Sequence, residues 1–307
     1  MRKTVVIDCF PESVQNYKNG YAIVAIDVIR ATTTAVTGVA LGRRCFPAPT
    51  IEAAVPLAAR MRNPLLVGEL GGRMPYGFDI NNSPVELEAR TDIHRPMLLL
   101  STSGTRLICG AVEGQVMYVA CLRNYSAQIA YLVAHHPAVA VVGAGSRGAF
   151  REEDQLCCAW IAAGLLAAGY EPQNERTLAI VEWWATMPLD AIVDSASAAY
   201  LRKTGQARDL EFILTHVDDL DAVYRCERGQ VVQQPRRQAI GDRRQIRWLA
   251  AAKEAVEASE PGDRTEPGLV GSGDGTRPLS PTAPLRAAFA ARVPEGHVAG
   301  RLSPGRV

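Results

Sequence analysis

The 307-residue sequence is poor in the features that mark several functional classes. No stretch approaches ~18 consecutive apolar residues, so no membrane-spanning helix is expected. The opening Met1-Arg-Lys-Thr-Val-Val-Ile-Asp8 lacks an apolar region of signal length. A net charge of +1 gives no electrostatic reason to expect a nucleic-acid or membrane-surface partner. The seven cysteines are odd in number and contain no C-x-x-C, and several sit in apolar text. That usage predicts reduced, mostly buried thiols in a cytoplasmic protein. The five histidines show no metal-ligand spacing, and His135-His136 suit the end of a helix before Pro137. There is no G-x-S-x-G elbow and no P-loop, which removes the usual signatures of a serine hydrolase or a P-loop nucleotidase.

What is present is a repeated strand–turn–helix pattern. Apolar runs predict strands at 4–7, 22–26, 65–67, 96–100, 115–120 and 138–142. Helices are expected at 32–41, 51–61 with a kink at Pro56, 84–89, 106–110, 125–135, 152–168 and 188–202. Residues 210–214 and 223–232 read as closing strands or a hairpin, and 176–184 has no assignable pattern. The alternation predicts an α/β fold, layered α/β/α around a largely parallel or mixed sheet. Residues 1–235 form the expected domain, with two α/β subdomains as an alternative arrangement. From Arg236 onward lie 12 of the 33 Lys and Arg and 8 of the 32 Asp and Glu, so the body carries about −3. Residues 236–307 are rich in Gly, Pro, Ser and Arg and read as a disordered tail, with a short helix fitting 242–258.

Polar residues gather where the predicted strands end. Ala22 to Ile26 runs into Asp27 and Arg30, then Thr32, Thr33 and Thr34. Ligands of open α/β sheets bind at such strand ends. Arg30 suits a bidentate clamp on a phosphate or sulfonate, and Asp27 suits a divalent cation. The structural alternative makes Thr32 an N-cap and Asp27–Arg30 an ion pair. Ser101-Thr-Ser-Gly-Thr105 repeats the layout, with hydroxyls and N–H groups suited to an anion. Asn124 follows another strand, where a helix cap is the simpler role. Acids recur beside these turns at Asp27, Glu69, Asp79 and Glu152-Glu153-Asp154. A phosphate ester bound with Mg²⁺ would explain acids mingled with anion-friendly turns, whereas the trio alone fits stabilisation of a helix N-terminus. Gly143-x-Gly-x-x-Gly148 has dinucleotide-loop spacing, but the position ~20 residues on, where an acid should end a strand, falls in a turn. The loop therefore approaches a small anionic ligand or simply packs.

Taken in order, these blocks resemble the 2-phosphosulfolactate phosphatase (ComB) family over about residues 4–235. The resemblance rests on Asp27-Val-Ile-Arg-Ala-Thr-Thr-Thr34, Gly68-Glu69, Gly77-Phe-Asp-Ile-Asn-Asn-Ser-Pro84, Ser101-Thr-Ser-Gly-Thr105, Asn124, and Gly148 to Cys157 with Glu153-Asp154. It implies a Mg²⁺-dependent phosphatase converting (R)-2-phospho-3-sulfolactate to 3-sulfolactate and phosphate, a step toward coenzyme M. It implies Asp27 and Arg30 as catalytic residues, and Asp27, Glu69, Glu153 and Asp154 as metal ligands. Thr32, Thr33, Thr102, Ser103, Gly104, Thr105, Asn124 and Gly145 would bind substrate. Water or Asp27 itself is open as nucleophile. The chain departs from the family pattern at Leu70 (an Arg in the family, with Arg73 nearby), Asn81 (Gly) and Ser103 (Asn). The alternatives are another phosphorylated hydroxy acid, or a nucleotide or anionic-metabolite binder built on Gly143–Gly148. The expected partner is a small anionic substrate, and a homo-oligomer is open.

Overall fold

The structure is a computed structural model that describes residues 2–17, 20–111 and 114–234. These belong to the unit Met1–Glu260. The expected tail and its short helix lie outside the described residues.

β2 (Ala22–Ile26) is buried at all five positions. It pairs in parallel with β6 (Val116–Ala120) on one side and β7 (Ala138–Gly143) on the other. A strand covered on both faces needs apolar side chains at every position, which is why it reads as an unbroken run rather than an alternation. β7 continues in parallel to β1 (Thr4–Cys9), and β1 to the short β8 (Glu171–Pro172). On the far side lies a second parallel block: β3 (Cys45–Ala48), β5 (Met97–Leu100) and β4 (Leu65–Gly68). The hairpin of β9 (Tyr224–Glu227) and β10 (Gln230–Gln233) joins the blocks, β9 against β6 and β10 against β3, both antiparallel. The result is one ten-stranded, mostly parallel sheet of order β4-β5-β3-β10-β9-β6-β2-β7-β1-β8. Three antiparallel pairings make the two blocks run formally in opposite directions. A twist of about 20–25° per strand accumulates to roughly 100–125° between β2 and β5, which lets their C-terminal ends meet.

Helices cover both faces, in agreement with the expected α/β/α layering. Ala22, Val24 and Ile26 pack with α5 (Tyr125–His135), α6 (Glu152–Ala167) and α7 (Glu175–Trp184). Ile23 and Ala25, on the opposite face by the two-residue period of a strand, pack with α1 (Ala31–Ala40) and α4 (Gly104–Ile108). α2 (Ile51–Ala59) starts at a Thr50 cap and carries Pro56. α3 (Pro84–Glu88) starts at Ser83, whose hydroxyl accepts from Glu86 N, as the Ser-Pro pair predicts.

Several expected elements differ. Residues 210–214 belong to a helix, α9 (Ala207–Thr215), not a strand; Asp209, Leu210, Phe212 and Ile213 are buried at helical spacing. The helix expected over 188–202 is broken into a 3₁₀ turn at Leu189–Ile192 and α8 (Ala196–Lys203), which Ser195 restarts by accepting from Ala198 N. The unassigned stretch 176–184 lies in α7, capped by Asn174. β3 is a strand that the pattern hides, four residues with proline third.

Candidate active site

The turn after β2 folds back on itself. Asp27 N donates to Thr32 Oγ1 at 3.0 Å, and that hydroxyl donates to Asp27 O at 2.8 Å. Thr33 Oγ1 donates to Val28 O at 2.8 Å. Both threonines are buried, so these hydroxyls shape the loop rather than face a ligand. Thr32 is not the N-cap of α1; Arg30 holds that position.

The bent turn brings three carboxylates together from two segments. Asp27 accepts from the Ala31 N–H. Asp154, three residues into α6, accepts from Val28 N at 2.9 Å and from the Gly145 N–H. Glu153 is buried beside them, with a hydrogen bond from the Ser197 side chain of α8 and one oxygen, Oε2, without a partner. Burial, reinforced by neighbouring carboxylates, pushes Asp27 up to about 7 and raises Glu153 and Asp154 as well. Glu69 and Glu153 add to the repulsion at Asp27, and Asp27 and Glu153 add to it at Asp154.

α4 closes the other side. A Cβ at Gly104 would overlap Asp27 Oδ2 and stand 2.5 Å from Ala31 Cβ, so only glycine lets the helix start against the carboxylate. The preceding loop is laced by its own hydroxyls: Thr105 Oγ1 accepts from Ser101 N, and Ser101 Oγ accepts from Thr105 N. Thr105 thus supports the loop from beneath. Ser103, half-buried at the start of α4, makes no cap bond. Glu69 accepts from Thr102 N, Thr102 Oγ1 and Gly72 N, so its oxygens tie the loop after β4 to the loop after β5.

Other expected site residues have their polar groups engaged by the protein itself. Asn124 is fully buried, accepting from Cys121 N and donating to Ala222 O. Asp79 accepts from Leu66 N and pairs with Arg95. The expected alternative of an Asp27–Arg30 ion pair is replaced by another: Arg30 pairs with Asp209 of α9, and its second terminal nitrogen donates to Asn81 Oδ1. Asp209 also accepts from Ser83 Oγ at 2.6 Å. The Gly143–Gly148 loop is packed, with Gly145 against Phe10 and Cys9 and its N–H turned to Asp154.

The chain matches the 2-phosphosulpholactate phosphatase family over residues 9–229. The chain belongs to this family. Relatives named probable 2-phosphosulfolactate phosphatase include a Pseudothermotoga lettingae protein, 38% identical over 45% of this chain and 59% of its own length. A Synechococcus protein (strain CC9605) is 32% identical over 68% of this chain and 84% of its own. One from Carboxydothermus hydrogenoformans is 29% identical over 66% and 85%. The family's name is that of a phosphoric monoester hydrolase, and every carboxylate of the cluster lies within the matched span.

Among the described residues, no three His, Cys, Asp or Glu side chains converge closely enough to hold a metal ion alone. Mg²⁺ does not require that; it takes one or two carboxylates and fills its remaining positions with water and substrate phosphate. An all-oxygen donor set of mutually repelling carboxylates, one with a buried unpartnered oxygen, fits such an ion, with Asp27 and Glu153 best placed. Sequence reasoning missed Ser197 and Asp209. Ser197 lies in the expected 188–202 helix and Asp209 just before the run at 210–214 read as a strand, and neither belongs to a motif. All seven cysteines are free, and Cys157 and Cys158 are buried with thiols pushed well up by that burial, consistent with packing rather than nucleophilic roles.

Proposed function

We propose that this chain is a Mg²⁺-dependent phosphatase that hydrolyses (R)-2-phospho-3-sulfolactate to 3-sulfolactate and phosphate. The observation that carries the reading is the Asp27–Glu153–Asp154 cluster, set at the end of the central strand in a chain of this family. Asp27 and Glu153 would hold the ion, which when bound would offset the charge of the phosphoryl oxygens. Asp154 anchors the cluster by gripping the Val28 and Gly145 N–H groups. Ser103 and the Gly104 N–H orient a phosphoryl oxygen beside Asp27, the Thr105 N–H being held by Ser101. Water supplies the oxygen that ends on phosphorus, the ester P–O bond breaks, and the hydroxy acid leaves with a proton. In the alternative course Asp27 itself attacks phosphorus as the ester bond breaks, and water then releases the phosphate. Arg30, only 4% exposed and paired with Asp209, holds the turn that presents Asp27.

A second reading keeps the reaction and changes the substrate to another phosphorylated hydroxy acid. Leu70 favours it, an exposed apolar residue where the family resemblance places arginine. A dinucleotide reading is disfavoured, because three acids occupy the first turn of α6, where a pyrophosphate would sit.

The test is phosphate release from 2-phosphosulfolactate by the purified chain, with Mg²⁺ and with EDTA. Fast release with Mg²⁺, lost in EDTA and in folded Asp27→Asn, is expected. Release insensitive to EDTA, or full activity in Asp27→Asn, would overturn the assignment.

A further inference from the structure

Two arginines act electrostatically on the carboxylate cluster, Arg30 on Asp27 and Arg151 on Glu153. Their situations are opposite. Arg30 is buried, and its guanidinium is engaged by Asp209 and Asn81. Arg151 is half-buried at the N-cap of α6, two residues before Glu153 and three before Asp154. Among the described residues its side chain has no hydrogen bond or ion pair, and its Nε is buried without a partner. A buried N–H left unpaired is costly, and the five donors of a guanidinium form a fork that matches a planar or tetrahedral oxyanion. A multiply anionic substrate approaching three carboxylates needs a cation with donors to spare. Arg30 has its outer nitrogens occupied.

We propose that Arg151 is the substrate-binding arginine of this site and takes an oxyanion group of the substrate. This rests on the phosphatase reading for the identity of the ligand but not for the presence of an anion site. Its neighbour Phe150 lies against Gly143, and the Phe150 carbonyl accepts from Gln155 Nε2, so the backbone leading into Arg151 is tied to the β7 end and to α6. That restraint fixes the point on the backbone, two residues before Glu153, from which the Arg151 side chain extends.

The test compares wild type, Arg151→Gln and Arg151→Lys in two measurements. The first is steady-state hydrolysis with saturating Mg²⁺. The second is equilibrium binding of inorganic phosphate and, separately, of a small alkyl sulfonate, which does not depend on turnover. Losing charge-assisted hydrogen bonds corresponds to roughly tenfold to a hundredfold in affinity. Arg151→Gln is expected to raise KM or weaken one of the two anions by that factor, with Arg151→Lys intermediate because a point charge replaces the fork. Weakened phosphate binding assigns Arg151 to the transferred group; weakened sulfonate binding alone assigns it to the far end of the substrate. Unchanged KM and unchanged affinity for both anions would overturn the proposal. If wild type releases no phosphate, the phosphatase reading fails, and loss of anion binding in Arg151→Gln still establishes the site.

Discussion

Gly104 is the position where the smallest possible change should do the largest damage. A methyl group there would overlap Asp27 Oδ2 and stand 2.5 Å from Ala31 Cβ and 2.8 Å from Asp27 Cγ. Non-bonded carbons settle at about 3.5–4.0 Å, so Gly104→Ala must push either the carboxylate or the first turn of α4 aside by about 1 Å. Misplacement of that size at a reacting group costs roughly a hundredfold in rate, and overpacking costs about 1–3 kcal/mol in stability. A control lies just past the far end of α1. Gly42 has φ +89° with open space around its Cβ position. Gly42→Ala therefore strains the backbone by about 1–2 kcal/mol without touching Asp27. Urea unfolding and Mg²⁺-dependent phosphate release, measured on both variants, separate the effects. Both should lose stability, and only Gly104→Ala should lose kcat/KM. Wild-type kcat/KM in folded Gly104→Ala would refute the argument that α4 fixes Asp27 for catalysis.

Other perturbations follow from the same contacts. Asp209→Asn leaves the Arg30 charge buried without its counter-ion, which should cost about 3–5 kcal/mol in urea unfolding; a loss below about 1 kcal/mol would mean that water reaches the pair. Asp27 binds its proton more tightly in the folded state, near 7, than the ordinary 3.8 of an unfolded aspartate. Between about pH 4 and 7 the native state thus holds more protons than the unfolded state, and stability without metal should fall as pH rises through that window. At about 1.4 kcal/mol per tenfold in proton affinity, the fall is on the order of 4 kcal/mol. Asp27→Asn should make the fall shallower in thermal unfolding in EDTA, with Glu153 and Asp154 supplying what slope remains, and stability that rises from pH 4 to 7 would contradict it. Added Mg²⁺ should restore stability chiefly at the upper end of the window, where the carboxylates are ionised.

The fold was legible where one physical signal dominated. β2 and β7 are covered on both faces, and their unbroken apolar runs marked them to within a residue. α5 emerged with its bounds because Asn124 and the His135–Pro137 break punctuate it. Residues 223–232, read as closing strands or a hairpin, form the β9–β10 hairpin, which turns at Arg228-Gly229. Failures came where local and tertiary signals compete. In α9 a run of Leu, Phe, Ile and Leu looks like a strand, yet Asp209 is buried on the same face, and its reason for being there lies at Arg30, 179 residues earlier. No local pattern records such a partner.

The site divides along the same line. Asp27 at the end of β2 and Glu153-Asp154 after β7 were marked by the motifs of the resemblance; that β2 and β7 are neighbours, which brings these residues together, is written only in the fold. Which of their neighbours are free is likewise written only there. The hydroxyls of Thr32, Thr33 and Thr105 look like ligands in a sequence because hydroxyls beside a strand end suit an anion; in the fold they close turns. Arg30 looks like an anion clamp for the same reason and instead neutralises Asp209. Residue type near a strand end therefore identifies where chemistry is built. It does not identify which donors remain to perform it, because that depends on what the rest of the chain has already satisfied. Arg151 shows the converse. It sits in no block of the resemblance as a functional residue, and what distinguishes it is an unsatisfied Nε together with its electrostatic action on Glu153. A search for spare hydrogen-bonding capacity around a charged cluster thus selects different residues from a search for motifs, and Arg30 and Arg151 are where the two disagree. Comparing Arg30→Gln with Arg151→Gln decides between them: the first should lower stability more than anion affinity, the second anion affinity more than stability, and the reverse order would return the anion-binding role to Arg30.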